Sequence, residues 1–335
     1  MLIAKPYLLF LGDAPDPLAA KTAYGVARWR PEDCVGQFRL PGCQADTGLP
    51  EVSIDTAAAL GARTLIVGVA NRGGKLAAAW IPELLAALQA GLDLANGLHQ
   101  RLADLPELAA TADSLGRRLI DVRHPAGSFE VGTGQKRPGQ RLLTVGTDCS
   151  TGKMYTTLAL EREMRGRGFD ADFRATGQTG ILIAGAGVCV DAVVADFISG
   201  AVEALCPANA PDHWDLIEGQ GSLFHPSFAG VSLGLLHGAQ PDALVLCHEP
   251  TRPHLRGVPG YPLPDLAECI AANEAAARLT NPKARCIGVS INTAQLSATE
   301  AGRWLEDTQN RLGLPCVDPL RTGVAALVDR IAGLG

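Results

Sequence analysis

At 335 residues the chain has room for two domains of ordinary size, each with its own core. Its formal net charge of −6, with no long run of lysine and arginine, argues against a nucleic-acid partner. Nine cysteines without C-x-x-C pairs or a histidine ladder argue against a structural zinc site, and an odd count with no export signal fits reduced thiols in the cytoplasm.

Apolar runs alternate with helical patterns throughout, the signature of a parallel-sheet α/β fold. Residues 2–11 are apolar, but the run is short and ends at Gly12-Asp13, so it predicts a first strand rather than a signal peptide or a membrane span. Strands are predicted near Tyr7–Leu11, Thr64–Val69, Leu92–Ala95 and Leu119–Val122, with helices near Leu18–Arg28, Leu76–Ala90 and Pro106–Leu115. From about 123 to 140 the pattern stops in a polar, Gly- and Pro-containing stretch, which predicts a connection between domains at 1–130 and 140–335. Strands then follow near Arg141–Val145, Ala171–Arg174, Asp215–Glu218, Ala243–Cys247, Cys286–Ile291 and Pro315–Val317, with helices at 152–166, 191–205, 264–279 and 297–312.

Ligands of an open α/β sheet gather beyond the carboxyl ends of its strands. Six loop segments there hold the candidate chemistry. Gly146-Thr147-Asp148-Cys149-Ser150-Thr151-Gly152-Lys153-Met154 lies between a predicted strand and a predicted helix, the context that makes G-x-x-x-x-G-K a phosphate-binding loop. Backbone N–H groups and the helix N-terminus attract an anion, and Lys153 adds a full positive charge. A nucleotide triphosphatase has Ser or Thr after the lysine to bind magnesium, whereas Met154 offers a soft thioether unsuited to that ion. Thr157 lies about 60° around the helix and about 4.5 Å along it, so it does not replace the missing hydroxyl. The loop is therefore expected to bind phosphates without a metal and to be poorly built to hydrolyse them. Asp148 either orients Lys153 or a substrate ammonium, or accepts loop N–H groups; Cys149 reads as a passive loop residue.

Glu218-Gly219-Gln220-Gly221-Ser222 leaves another strand end, with Glu218 a candidate for holding or deprotonating an amine and glycines that let a ligand approach the backbone. His225 is a second candidate base, or a bystander. Arg252 and Arg256 offer planar forks for carboxylate or phosphate, although a solvated loop is the plain alternative. Gly177-Gln178-Thr179-Gly180 is a weaker candidate for wrapping a ligand with Gln178 and Thr179. In the first domain Asn71-Arg72-Gly73-Gly74 resembles a small anion nest, and Asn96-Gly97-Leu98-His99 a tight turn. Gly12-Asp13 through Lys21-Thr22 lacks the second glycine before its lysine and is no phosphate loop.

Together, Gly146–Met154 with its methionine, Glu218-Gly219-Gln220-Gly221-Ser222-Leu223, Gly177-Gln178-Thr179-Gly180, Asn96-Gly97-Leu98-His99 and Asp121-Val122-Arg123 resemble, over essentially the full chain, a family of phosphate-loop proteins that includes the D-glutamate N-acetyltransferases. The resemblance implies a Rossmann-like amino-terminal domain, a phosphate-loop carboxy-terminal domain, and acetyl transfer from acetyl-CoA to the amine of a D-amino acid, D-glutamate first among the candidates. On that reading Gly146, Thr147, Cys149, Ser150, Thr151, Gly152, Lys153 and Met154 line the cofactor. Glu218, His225 and Asp148 are the catalytic candidates, and Gln178, Thr179, Gln220, Ser222, Arg252 and Arg256 hold the substrate. The expected partners are a small amino acid and further copies of the chain, with no nucleic acid and no membrane. The loop also resembles that of dethiobiotin synthetase, leaving an ATP-dependent ligase or kinase as a rival from which Met154 departs. A non-catalytic nucleotide-binding regulator is a third reading.

Overall fold

A computed structural model describes residues 2–71, 73–125 and 127–333. It divides into two compact units, Met1–Gly127 with Gly177–Ala192, and Ser128–Thr176 with Val193–Gly335. The first unit therefore takes back a segment from beyond the predicted connection.

In chain order the first unit begins with β1 (Tyr7–Gly12), α1 (Lys21–Trp29), β2 (Cys34–Arg39), α2 (Ile54–Ala59), β3 (Thr64–Val67) and α3 (Ile81–Gln89). It continues with β4 (Asp93–Asn96), α4 (Pro106–Leu115) and β5 (Leu119–Asp121). The sheet runs β2-β1-β3-β4-β5 with every pairing parallel. Strands buried on both faces need continuous apolar sequence, and Tyr7 to Leu11 and Leu65 to Val67 are all 0 % exposed. Each such large side chain contributes roughly 1.5–3 kcal/mol by leaving water. Trp80 closes the core against Phe10, and its indole N–H donates to Asp13 at 2.8 Å, which gives the Gly12-Asp13 turn a structural role. Asn96 folds its own turn by accepting from Leu98 N–H at 2.9 Å. Gly74 sits so close to His99 that a Cβ there would lie 2.7 Å from the ring; Arg72 of the expected nest lies outside the described residues.

The second unit carries β6 (Gln140–Gly146), α5 (Lys153–Gly166) and β7 (Ala171–Arg174), after which α6 (Gln178–Ala184) belongs to the first unit. The second unit resumes with α7 (Ile198–Leu205), β8 (Trp214–Ile217), α8 (Ala229–Ala239), β9 (Ala243–His248) and α9 (Leu266–Ala277). It ends with β10 (Arg285–Ile291), α10 (Ala298–Leu312), β11 (Cys316–Val317) and α11 (Ala325–Ala332). Its sheet order is β11-β10-β9-β6-β8-β7, again parallel throughout. Central β6 delivers the phosphate loop between the ends of β8 and β9.

The expected helix 191–205 is shorter: short 3₁₀ turns at Val190–Ala192 and Ala195–Phe197 precede α7. Gln178 and Thr179, expected in a loop, open α6, whose first turn packs against Gly97 and Gly25 within the first unit. β2, α2, α8 and α11 were not among the predicted elements. α8 contains Gly230, Gly234 and Gly238, which lower helix propensity. Two of them serve packing, since a Cβ on Gly234 would meet Ile198 at 2.7 Å and one on Gly238 the Ser199 carbonyl at 2.3 Å.

Candidate active site

The loop from Gly146 to Lys153 forms a cradle that its glycines keep open. A Cβ on Gly146 would fall 2.9 Å from Lys153 Nζ and 3.0 Å from the Asp148 carbonyl, filling the space. Gly152, at φ +103°, takes a left-handed turn into α5 that a side chain would strain. Lys153 is only 6 % exposed, and its ammonium donates to the Asp148 carbonyl at 2.8 Å. Burial pulls its pKa below the ordinary lysine value, partly offset by nearby Cys247, Cys149 and Asp148. A buried ammonium beside main-chain dipoles is stabilised by an anion entering the cradle. Met154 follows half-buried, and Thr157 is engaged elsewhere: its hydroxyl donates to the Lys153 carbonyl at 2.8 Å and meets Thr144 at 3.0 Å.

Asp148 is fully buried and its two oxygens tie the loop together. One accepts Cys149 N–H at 2.7 Å; the other accepts Arg252 Nη1 at 2.7 Å and Arg256 N–H at 2.8 Å. Arg252 is spent as a brace, donating also to the Cys149 carbonyl at 2.6 Å, the Ser150 carbonyl at 2.8 Å and Glu249 at 2.6 Å. Arg256 keeps an exposed guanidinium at the rim, hydrogen-bonded to the Ser150 hydroxyl. Thr147 meets His248 Nδ1 at 3.0 Å, and burial lowers that imidazole to about 4, so it is neutral at pH 7. Thr151 donates to the Asp148 carbonyl at 3.3 Å. Burial is the largest influence on the Cys149 thiol and raises its pKa, which leaves little thiolate near neutral pH.

At the end of β8, a Glu218 carboxylate oxygen accepts Thr176 N–H at 3.0 Å. Gly219 follows against the lysine stem, where a Cβ would lie 2.9 Å from Lys153 Cδ and 1.7 Å from the Thr144 carbonyl. Gln220 donates to Thr176 Oγ1 at 3.2 Å, and Ser222 accepts Phe224 N–H at 3.2 Å to shape the turn before His225. His225 is 1 % exposed, with both nitrogens engaged: Nδ1 accepts Ser227 N–H at 3.2 Å, so neutral His225 carries its proton on Nε2 and donates to the Arg256 carbonyl at 3.0 Å. Asp148, Cys149 and His225 offer donor atoms within 4.8 Å of one another, but the Asp148 and His225 donors already hold the loops in place.

The structure thus gathers Asp148, Lys153, Glu218, Gly219, His225, Arg252 and Arg256 in the unit that carries the phosphate loop, while Gln178 and Thr179 lie in the other. Sequence reasoning missed the Thr147–His248 contact and the bracing duty of Arg252; the strand-end position of His248 was its one signal.

Residues 130–328 match the family model "Domain of unknown function (DUF1611_C) P-loop domain", and residues 38–125 match "Domain of unknown function (DUF1611_N) Rossmann-like domain". The chain belongs to this family. It is 55 % identical over 333 residues to a D-glutamate N-acetyltransferase of Tritonibacter scottomollicae, covering 99 % of this chain and 100 % of that one. It is 52 % identical over 331 residues to a D-glutamate N-acetyltransferase of a Pseudoalteromonas species, with the same coverage of 99 % and 100 %. The crystal structure of a DUF1611 family protein from Anabaena variabilis is 34 % identical, covers 98 % of this chain and 100 % of that one, and superposes with a TM-score of 0.84. Rossmann-like and phosphate-loop domains are accordingly the two halves of the family, as their resemblance implied. No described helix is long and apolar enough to cross a membrane.

Proposed function

We propose that the protein is an N-acetyltransferase that moves the acetyl group of acetyl-CoA to the amine of D-glutamate. The observation that carries this reading is the pairing of a phosphate cradle, with buried Lys153 at its centre, and Met154 where a magnesium-binding hydroxyl would stand. Coenzyme A brings a pyrophosphate and undergoes no phosphoryl transfer, so a metal-free cradle suits it. Two full-length relatives bearing the name D-glutamate N-acetyltransferase support the substrate.

The amine nitrogen attacks the acetyl carbonyl, the C–N bond forms as the C–S bond breaks, and coenzyme A leaves as its thiol after taking up a proton. Glu218 receives the amine proton, being the candidate carboxylate at the end of β8, directly before the glycine that packs on the Lys153 stem. Asp148 and His225 act as positioning residues: their polar atoms hold the 252–256 segment against the loop. Arg256 holds a substrate carboxylate or carrier phosphate, while Arg252 keeps the loop in shape. Nine free cysteines fit a reducing cytoplasm. A thiol-release assay over D- and L-amino acids tests the reading. D-glutamate should turn over fastest, and E218Q should lower kcat about a hundredfold or more; release without amino-acid preference would remove the substrate assignment.

A further inference from the structure

An open cavity of about 550 Å³ follows one face of α10, lined by Leu296, Glu300, Arg303, Trp304, Asp307 and Arg311 among others. Trp304 is 38 % exposed, whereas Trp29, Trp80 and Trp214 are 3 %, 2 % and 6 % exposed. Its indole N–H makes no hydrogen bond among the described residues. The groove is tied to the phosphate loop from two sides. The Trp304 ring lies 6.1 Å from that of His248, whose Nδ1 is 3.0 Å from the Thr147 hydroxyl. Asn292, which leads from β10 toward Leu296, comes within 4.0 Å of where a Gly152 Cβ would stand. One imidazole therefore separates the exposed indole from the cradle.

Resting on the acetyl-CoA reading, we infer that this groove seats the adenosine 3′-phosphate end of coenzyme A. The purine stacks on Trp304 and Leu296 while the pyrophosphate occupies the loop. A base one ribose away from a pyrophosphate needs a flat apolar platform at short range from the cradle, and Trp304 provides it. Arg303 and Asp307 lie one helical turn apart beside the indole, and neither makes a hydrogen bond or ion pair among the described residues. Arg303 supplies a fork for the 3′-phosphate, and Asp307 accepts the exocyclic amino group. Glu300 and Arg311 are already engaged, the first in the capping box with Ser297 and the second with Asp265 at 2.7 Å.

Titration of the full-length protein with coenzyme A, read by tryptophan fluorescence and calorimetry, tests the assignment. Coenzyme A should quench the exposed indole. W304A should raise its Kd about ten- to a hundredfold, and W304F should recover most of the loss. Both variants should bind acetyl-4′-phosphopantetheine, which lacks the whole adenosine 3′,5′-bisphosphate and keeps one phosphate for the loop, as the wild type does. R303A should weaken coenzyme A more than dephospho-coenzyme A. If W304A binds coenzyme A with wild-type affinity while K153A does not, the carrier sits on the loop without the groove and the inference is overturned. It is equally overturned if W304A breaks an oligomer apart while leaving coenzyme A affinity intact, since the groove then covers a second copy. A wild-type protein that ignores coenzyme A altogether removes the acetyl-CoA reading as well, and no variant is needed to see it.

Discussion

Lys153 sets how the cradle responds to pH. Its folded-state pKa is lowered by burial, so the ammonium is lost at a lower pH than that of an ordinary lysine. Phosphate binding needs the charged form; coenzyme A affinity should be full below that lowered value and fall as pH rises through it. Calorimetry from neutral to alkaline pH reads this directly, and a flat profile would mean that the ammonium is not a ligand. K153A should weaken coenzyme A by about 2–5 kcal/mol, the range for removing one partner of a buried charge-assisted contact. Asp148 makes a second prediction. It is fully buried against Arg252, so R252A leaves a desolvated carboxylate short of its cation and should lower Tm. Adding D148N should restore part of that loss, because a neutral amide tolerates the missing charge; a further fall in Tm would contradict the pairing. The identity of Lys153 was legible in the sequence because glycine spacing and a flanking strand and helix specify it. The duties of Arg252 and His225 were not, since Arg252 depends on a segment 103 residues away, and His225 on one 31 residues away, being folded beside it.

Elements with continuous apolar runs or clean amphipathic periods, such as β1, β9 and α4, lie where the sequence predicts them. α8 escaped because its signal was traded for contact: two of its three glycines, Gly234 and Gly238, let it approach α7 closely. G238A should therefore clash with the Ser199 carbonyl, 2.3 Å from the added methyl, and cost about 1–3 kcal/mol in denaturant unfolding despite alanine's better helix propensity. A stabilised variant would show that the helices separate without penalty. β2 escaped for a different reason: it is a half-buried edge strand whose Gly36 and Gln37 break the apolar pattern. α6 was hidden by Gly177 and Gly180, which read as loop residues until its packing on α1 is seen.

Across the whole molecule, two parallel sheets of five and six strands each present carboxyl-end loops, but the cradle, its lysine and the candidate base belong to the second unit. The polar stretch near 123–140 marked where the chain leaves the first sheet. It could not reveal the return of Gly177–Ala192, because a segment's allegiance is set by what it packs on rather than by its own composition. The central claim is that backbone amides and one buried ammonium grip a carrier diphosphate without a divalent ion. Calorimetry of the wild-type protein with acetyl-CoA and ATP in turn, first with a chelator and then with magnesium in its place, tests it most directly. Acetyl-CoA should bind with the same affinity whether or not magnesium is present, and more tightly than ATP under either condition. Tight, magnesium-dependent ATP binding with no response to acetyl-CoA would contradict the account.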